Sequence, residues 1–267
     1  MSTMAPILDE LIGQAREQTE KRKRVFPPAV LDQLLARRGP ALDFKAAIRK
    51  SHRIAVICEM KRRTPALGLI AARYRPGEIA RAYYDCGADA ISVLTHQGGF
   101  GGSADHLLEA REAAPGVPVL RKDFVIDEHQ VVEARALGAD AVLLIVAALE
   151  PVQLRRFVDL AHEHGLQALV EAHDEAELTT ALESGADMIG VNHRDLRTFN
   201  VDLSLTERLR PLVPPEVVYV AESGIHSRQD ARRMREAGAD AVLVGESLMR
   251  APDIRYQLTE LTYRDPK

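Results

Sequence analysis

Short, nearly continuous apolar runs alternate with longer stretches of helical periodicity along most of the chain. Eight runs stand out, at residues 54–60, 90–95, 119–124, 141–146, 167–171, 188–192, 217–222 and 241–245. Runs this short, with few polar interruptions, suit strands of a parallel sheet covered on both faces. Four of them follow a tetrapeptide ending in Gly-Ala-Asp, with its glycine at Gly87, Gly138, Gly185 and Gly238. The steps of 51, 47 and 53 residues are each about two strand-helix units, and each glycine suits the left-handed residue that follows a helix end.

The intervening segments carry helix start signals. Asp127, Asp174 and Ser227 are capping residues followed three positions later by Gln130, Glu177 and Asp230, which can reach back, and Pro76 and Pro151 suit a first helical turn. Eightfold alternation of strand and helix predicts an α/β fold, a closed (β/α)8 TIM barrel, with an open doubly wound sheet as the alternative. Amphipathic stretches at 8–24, 28–37 and 42–51 precede the first strand. The expected organisation is a helical extension, residues 1–53, packed on a barrel, residues 54–267, the whole a single domain.

Composition narrows the class without changing that picture. Of the 267 residues 46% are hydrophobic and 28% charged, as in soluble globular proteins, and the net charge of -4 offers no general attraction to nucleic acid or an anionic membrane. Two cysteines, Cys58 and Cys86, make neither a disulfide framework nor a thiolate metal site and read as reduced core thiols. No apolar run is long enough to cross a bilayer, and the amino terminus lacks the apolar core of a secretory signal, so a cytoplasmic protein is expected. The basic run 21–24 reads as a solvated helix end, with a docking patch as the alternative.

Candidate chemistry sits where a barrel would place it, at the carboxyl ends of the strands. Glu59 and Lys61 share a strand face, while Cys58 and Met60 take the other. Lys122, Glu171 and Asn192 end three further strands. Singly, each is as well read as a solvated rim residue; together they invite a functional explanation. His162 and His164 read as helix-surface residues, and no metal-ligand spacing is present, so no metal is expected. Ser223-Gly224 after the seventh strand, and Gly245-Glu246-Ser247 after the eighth, before a short helix starting at Leu248-Met249, suit a phosphate cradle; two ordinary βα turns are the alternative.

These residues resemble the indole-3-glycerol-phosphate synthase family across nearly the whole chain. The resemblance is carried by EMKRRTP from Glu59, ISVLT from Ile91, VLRKDFVIDEHQ from Val119, ADAVLLIVAAL from Ala139, LVEAHDE from Leu169, IGVNHRDLRTF from Ile189, AESGI from Ala221 and VGESLMR from Val244. It implies cyclisation of 1-(2-carboxyphenylamino)-1-deoxyribulose 5-phosphate to indole-3-glycerol phosphate, with loss of carbon dioxide and water and without a cofactor, in tryptophan biosynthesis. By matching positions it makes Lys122 the general acid, Glu171 a general base and Glu59 with Lys61 an assisting pair. Asn192 would bind a substrate hydroxyl or orient Glu171, and Arg194 would support the carboxyl side. Ser223, Gly224, Gly245, Glu246 and Ser247 would hold the phosphate with Lys61 and Thr64 nearby, and Phe100, Phe124, Leu94 and Leu143 would wall the aromatic ring.

Apolar walls would be expected to lower the lysine pKa values by desolvation, and the cations Lys61, Lys122 and Arg194 to make the mouth locally basic. The chain departs from the family pattern at three places. Thr64 replaces a serine, His193 a smaller polar residue, and the glycine-rich loop 96–103 makes the role of Phe100 less secure. The expected partner is a small phosphorylated substrate, not nucleic acid or membrane, for a monofunctional monomer or weak homo-oligomer. A sugar-phosphate isomerase or epimerase and a noncatalytic phosphoribosyl-ligand binder are the competing readings.

Overall fold

The computed structural model describes residues 6–65, 67–195, 198 and 200–262. Eight parallel strands form its centre: β1 (Ala55–Met60), β2 (Ala90–Leu94), β3 (Val119–Lys122), β4 (Ala141–Ile145), β5 (Gln167–Ala172), β6 (Met188–Asn192), β7 (Val218–Glu222) and β8 (Ala241–Val244). Ile57 of β1 pairs with Ala90 of β2, and Ala55 of β1 with Ala241 of β8. The sheet therefore closes, which excludes the open alternative and leaves no strand edge. Predicted strand bounds shift by at most two residues. The largest shift is at β3, where Asp123 leaves the ladder and its carboxylate accepts the Phe124 N–H.

Helices α1 (Pro6–Val25), α2 (Pro28–Ala36) and α3 (Phe44–Arg49) precede the barrel. α4 (Pro76–Asp85), α5 (Ala104–Ala113), α6 (Glu128–Ala136), α7 (Pro151–Glu163), α8 (Glu175–Glu183), α9 (Ser204–Leu209) and α10 (Arg228–Glu236) follow the first seven strands, and α11 (Glu246–Arg250) and α12 (Ile254–Thr262) the eighth. Pro76 and Pro151 open α4 and α7 as expected, and Ser227 and Asp230 form a reciprocal capping box. Asp127 and Asp174 also cap their helices, but Gln130 and Glu177 reach one residue further back than expected, to the N–H groups of Ile126 and His173.

The repeated Gly-Ala-Asp has a structural cause. All four glycines sit at positive φ, +73°, +96°, +82° and +94° in chain order, ending a helix where a side chain would be strained. Three of the aspartates then reach across to the preceding strand: the carboxylates of Asp89, Asp140 and Asp240 accept N–H bonds from Val56, Val119 and Tyr219, each at 2.8 Å. The fourth, Asp187, pairs instead with Lys45 of α3 at 3.0 Å.

Alternation along the strands divides the core into two layers. Cys58, Met60, Tyr219 and their counterparts face the helices. Ile57, Leu120, Leu143, Leu169, Val218 and Val220 face inward, joined from below by Phe44 and Ile48 of α3, which plug the amino-terminal end of the barrel. Cys58 is a buried free thiol, but Cys86, expected in the core, is only half-buried. His162 is exposed and His164 half-buried. Among the described residues no helix is long and apolar enough to cross a membrane.

Candidate active site

Following the inward positions up their strands leads from hydrocarbon to charge. Above Ile57 stands Glu59, above Leu120 Lys122, above Leu169 Glu171, above Gly190 Asn192, and above Val220 Glu222. All five line one pocket at the barrel mouth. The Lys122 Nζ donates to Glu171 Oε2 at 2.9 Å and to Glu222 Oε2 at 2.8 Å, and Lys61 pairs with Glu59. Two glycines make room for the carboxylates: a Cβ on Gly190 would overlap Glu222 Oε1, and one on Gly245 would overlap Glu59 Oε1.

The electrostatics reverse the expectation for the acid. Burial disfavours the Lys122 ammonium, but the Glu171 and Glu222 carboxylates outweigh it and hold the lysine above its ordinary value. Burial also pushes both glutamates up. Lys122 and His173 overcome this at Glu171, which is held well below the usual carboxylate range. At Glu222, burial and the neighbouring Glu171 charge prevail over Lys122, and the carboxyl is pushed up to about 8. The proton affinities of the pair are therefore driven apart, Glu171 down and Glu222 up. Nor is the mouth a simple basic patch, because Lys61, Lys122 and Arg194 face Glu59, Glu171, Glu222 and Glu246.

Lys122 is braced from behind. Its neighbour Arg121, buried on the outer face of β3, donates to Glu133 at 2.8 Å and to Asp123 at 3.2 Å, while Thr95 donates to Asp123 at 2.7 Å. His96 Nδ1 lies 3.3 Å from the other Asp123 oxygen. The same Glu133 accepts from Arg22 at 2.5 Å, and Lys23 pairs with Asp127 at 2.7 Å. Part of the basic run 21–24 thus docks α1 on α6, contrary to its expected solvation. Docked this way, α1 places Ile7, Leu8 and Leu11 in the pocket wall.

Phe100, Phe124, Leu94 and Leu143 line the same pocket, with the two phenyl rings 6.3 Å apart and His96 edge-on to both. The glycine-rich loop folds tightly on itself through Gly101 N–H to the Gln97 carbonyl and Gly102 N–H to the His96 carbonyl. Gly102 has no room for a side chain, since a Cβ would strike the Leu94 carbonyl.

At the opposite wall, Ser223 and Gly224 both adopt positive φ, +68° and +78°, and Ser223 is the only such non-glycine among the described residues. Buried His193 holds this turn: its Nδ1 lies 2.9 Å from the Ser223 carbonyl and its Nε2 2.7 Å from the Thr206 hydroxyl. Gly245 and Glu246 open α11, whose first N–H groups have no partner within the helix. Two side chains depart from expectation here. The Ser247 hydroxyl donates to the Ile225 carbonyl and does not line the pocket, and Arg194 lines the pocket 3.8 Å from Glu246, at this end. Thr64 Oγ1 accepts the Leu67 N–H, and Asn192 Oδ1 accepts the Arg194 N–H.

Three functional candidates escaped the sequence reading: Glu222, His173 and His96. Glu222 carried a signal, because alternation along β7 turns it inward with Val218 and Val220.

The barrel is shared with solved structures of low sequence identity. The N-acetylmannosamine-6-phosphate 2-epimerase from Clostridium perfringens matches with a TM-score of 0.61 at 16% identity, over 79% of this chain and 92% of that one. Thiamine phosphate pyrophosphorylase from Pyrococcus furiosus matches with a TM-score of 0.59 at 20% identity, over 78% and 93%. Both speak to the fold alone. Sequence relatives are far more similar. The "Indole-3-glycerol phosphate synthase 2" of Streptomyces coelicolor is 55% identical over 94% of this chain and 96% of its own length. The indole-3-glycerol phosphate synthase of Dehalococcoides mccartyi strain CBDB1 is 46% identical over 96% and 99%. A family model described as indole-3-glycerol phosphate synthase matches residues 8–261. The chain belongs to the indole-3-glycerol phosphate synthase family.

Proposed function

We propose that this mouth converts 1-(2-carboxyphenylamino)-1-deoxyribulose 5-phosphate to indole-3-glycerol phosphate, the carboxy-lyase step of L-tryptophan biosynthesis catalysed by the family. The observation that carries the assignment of roles is a buried ammonium held between two carboxylates whose proton affinities are driven apart. The aromatic carbon bearing the carboxylate attacks the ketone carbon, and the ketone oxygen takes a proton from Lys122. Carbon dioxide then leaves, and its bonding electrons restore the aromatic ring. The new hydroxyl departs as water with a proton from Lys61, and Glu171 removes a proton from the methylene beside the nitrogen. Two protons enter and one leaves, so each turnover draws one from solvent. Glu222, 2.8 Å from Lys122 and with its proton affinity raised, is placed to resupply the acid.

Glu59, paired with Lys61, directs its ammonium, and Asn192 offers its amide to a substrate hydroxyl. The phosphate would rest on the backbone of Ser223, Gly224, Gly245, Glu246 and Ser247, with Thr64 and Arg194 at that end; the apolar wall of Phe100, Phe124 and Leu143 would take the aromatic ring. The extension 1–53 and the barrel are proposed to form one domain, which the insertion of Phe44 and Ile48 into the barrel core supports. A cytoplasmic monomer or weak homo-oligomer fits the scatter of exposed large hydrophobics over separate elements.

An ultraviolet or fluorescence assay of indole formation tests the reaction directly, with low background because the chain has no tryptophan. Lys122→Ala and Glu171→Gln are each expected to lower kcat by about 10² to 10⁴. A loss below about tenfold in either would overturn that residue's role.

A further inference from the structure

Glu171 and Glu222 grip Lys122 at nearly equal distances, 2.9 and 2.8 Å, yet the proposed mechanism uses only Glu171 as the base. What distinguishes them is the far oxygen of each carboxylate. Glu222 Oε1 has no hydrogen-bond partner among the described residues and lies against the Cα of Gly190. Glu171 Oε1 faces His173, whose Nε2 is 3.4 Å away, an ion-pair contact and not a hydrogen bond, that nitrogen having no hydrogen-bond partner among the described residues. The other ring nitrogen, Nδ1, is 3.0 Å from Glu177 Oε2 on α8, and the His173 backbone N–H donates to that same oxygen at 2.8 Å.

We propose that His173 is a positioning residue that selects Glu171 over Glu222 as the base, by holding an imidazolium against the second oxygen of Glu171, with Glu177 fixing the ring. The inference deepens the proposed function and rests on Glu171 being the base. The charged and polar groups facing this pair are Lys122 from β3, Glu222 from β7, Asn192 from β6 and Glu177 from α8. The turn Val146–Ala148, packed against β5 and α8, brings no titratable side chain. Burial opposes a charged ring, but the Glu171 and Glu177 carboxylates outweigh it and push His173 up to about 10. An imidazolium has a donor for each carboxylate at once, which a neutral ring lacks. Without it, two carboxylates would share the single charge of Lys122, and their order of protonation would rest on small differences in burial.

The test combines kcat and KM across pH for wild type, His173→Asn and Glu177→Gln with nitrogen-15 shifts of the imidazole rings and a thermal melt of each protein. In the wild type the His173 ring is expected to carry protons on both nitrogens at pH 8. His173→Asn is expected to move the acidic limb of kcat upward by about one pH unit, a loss of about tenfold along that limb. KM and the neutral plateau should change by less than about threefold, since no substrate contact is removed. Glu177→Gln should shift the limb in the same direction by less, and it decides the matter if His173→Asn fails to fold.

A fall in kcat that is equal at every pH, or a limb unmoved in both variants, would overturn the proposal, as would a neutral ring at pH 8. The ring measurement needs no turnover. If Glu171→Gln retained activity while the ring stayed charged, the base assignment would fail and the carboxylate–imidazolium pairing would stand apart from it.

Discussion

His193 does work that a smaller polar side chain at its position could not reach to do. Its ring spans from the Ser223 carbonyl to the Thr206 hydroxyl, and burial lowers its pKa, so it is neutral at pH 7. Beside a carbonyl, Nδ1 must carry the proton, which leaves Nε2 to accept from Thr206. The ring thereby secures the positive-φ Ser223, a conformation a non-glycine residue adopts only when its surroundings enforce it. His193→Ala is expected to raise KM for the phosphorylated substrate by about tenfold with kcat within a few-fold, because the turn serves binding and not proton transfer. Steady-state kinetics check this, and an unchanged KM would separate His193 from the phosphate loop. Legibility at this scale followed alternation. Glu59, Lys122, Glu171 and Asn192 were readable as inward strand ends, and Glu222 obeys the same rule but was absorbed into a glycine-containing turn motif. His173 and His96 were not readable, since each lies just past the end of its strand, where no strand period describes the course of the chain.

At the scale of elements, the repeat foretold more than strand order. Its glycines mark helix ends, and three of its aspartates tie the following strand to the amino end of the preceding one. Asp140 is the most heavily used: buried, it accepts from Val119 N–H, Leu42 N–H and Arg111. Asp140→Ala would leave the buried Val119 N–H unpaired and deprive Leu42 and Arg111 of their partner, and is expected to cost about 3 kcal/mol in urea-induced unfolding. Asp187→Ala, which removes partly exposed contacts with Lys45 and, at 4.0 Å, His162, should cost less than about 1 kcal/mol. Equal losses would mean that the repeat's aspartates act through the helix end and not through the strand clamp. The sequence showed four equivalent repeats; that one of them is not a clamp depends on where α3 brings Lys45. The same limit applies to α1, whose amphipathic pattern was legible but whose docking by Arg22 and Lys23 onto α6 was not.

Across the whole molecule, both ends of the barrel are finished by the segment that precedes it. α1 contributes Ile7, Leu8 and Leu11 to the wall of the mouth, and α3 drives Phe44 and Ile48 into the other end against the inward residues of the strands. An amphipathic stretch packed only on the outside of a barrel could fray without disturbing the core. A plug cannot, because Phe44, with no exposed surface, fills space that the strands alone leave open. Phe44→Ala is therefore expected to destabilise the protein by about 3–5 kcal/mol, as for other large-to-small changes in a packed core. It should also keep a single unfolding transition in which helical circular dichroism and tyrosine fluorescence, to which the buried Tyr83 and Tyr219 contribute, change together. Two separated transitions, the first losing helix alone, would mean that residues 1–53 fold independently of the barrel and that the plug is dispensable to it.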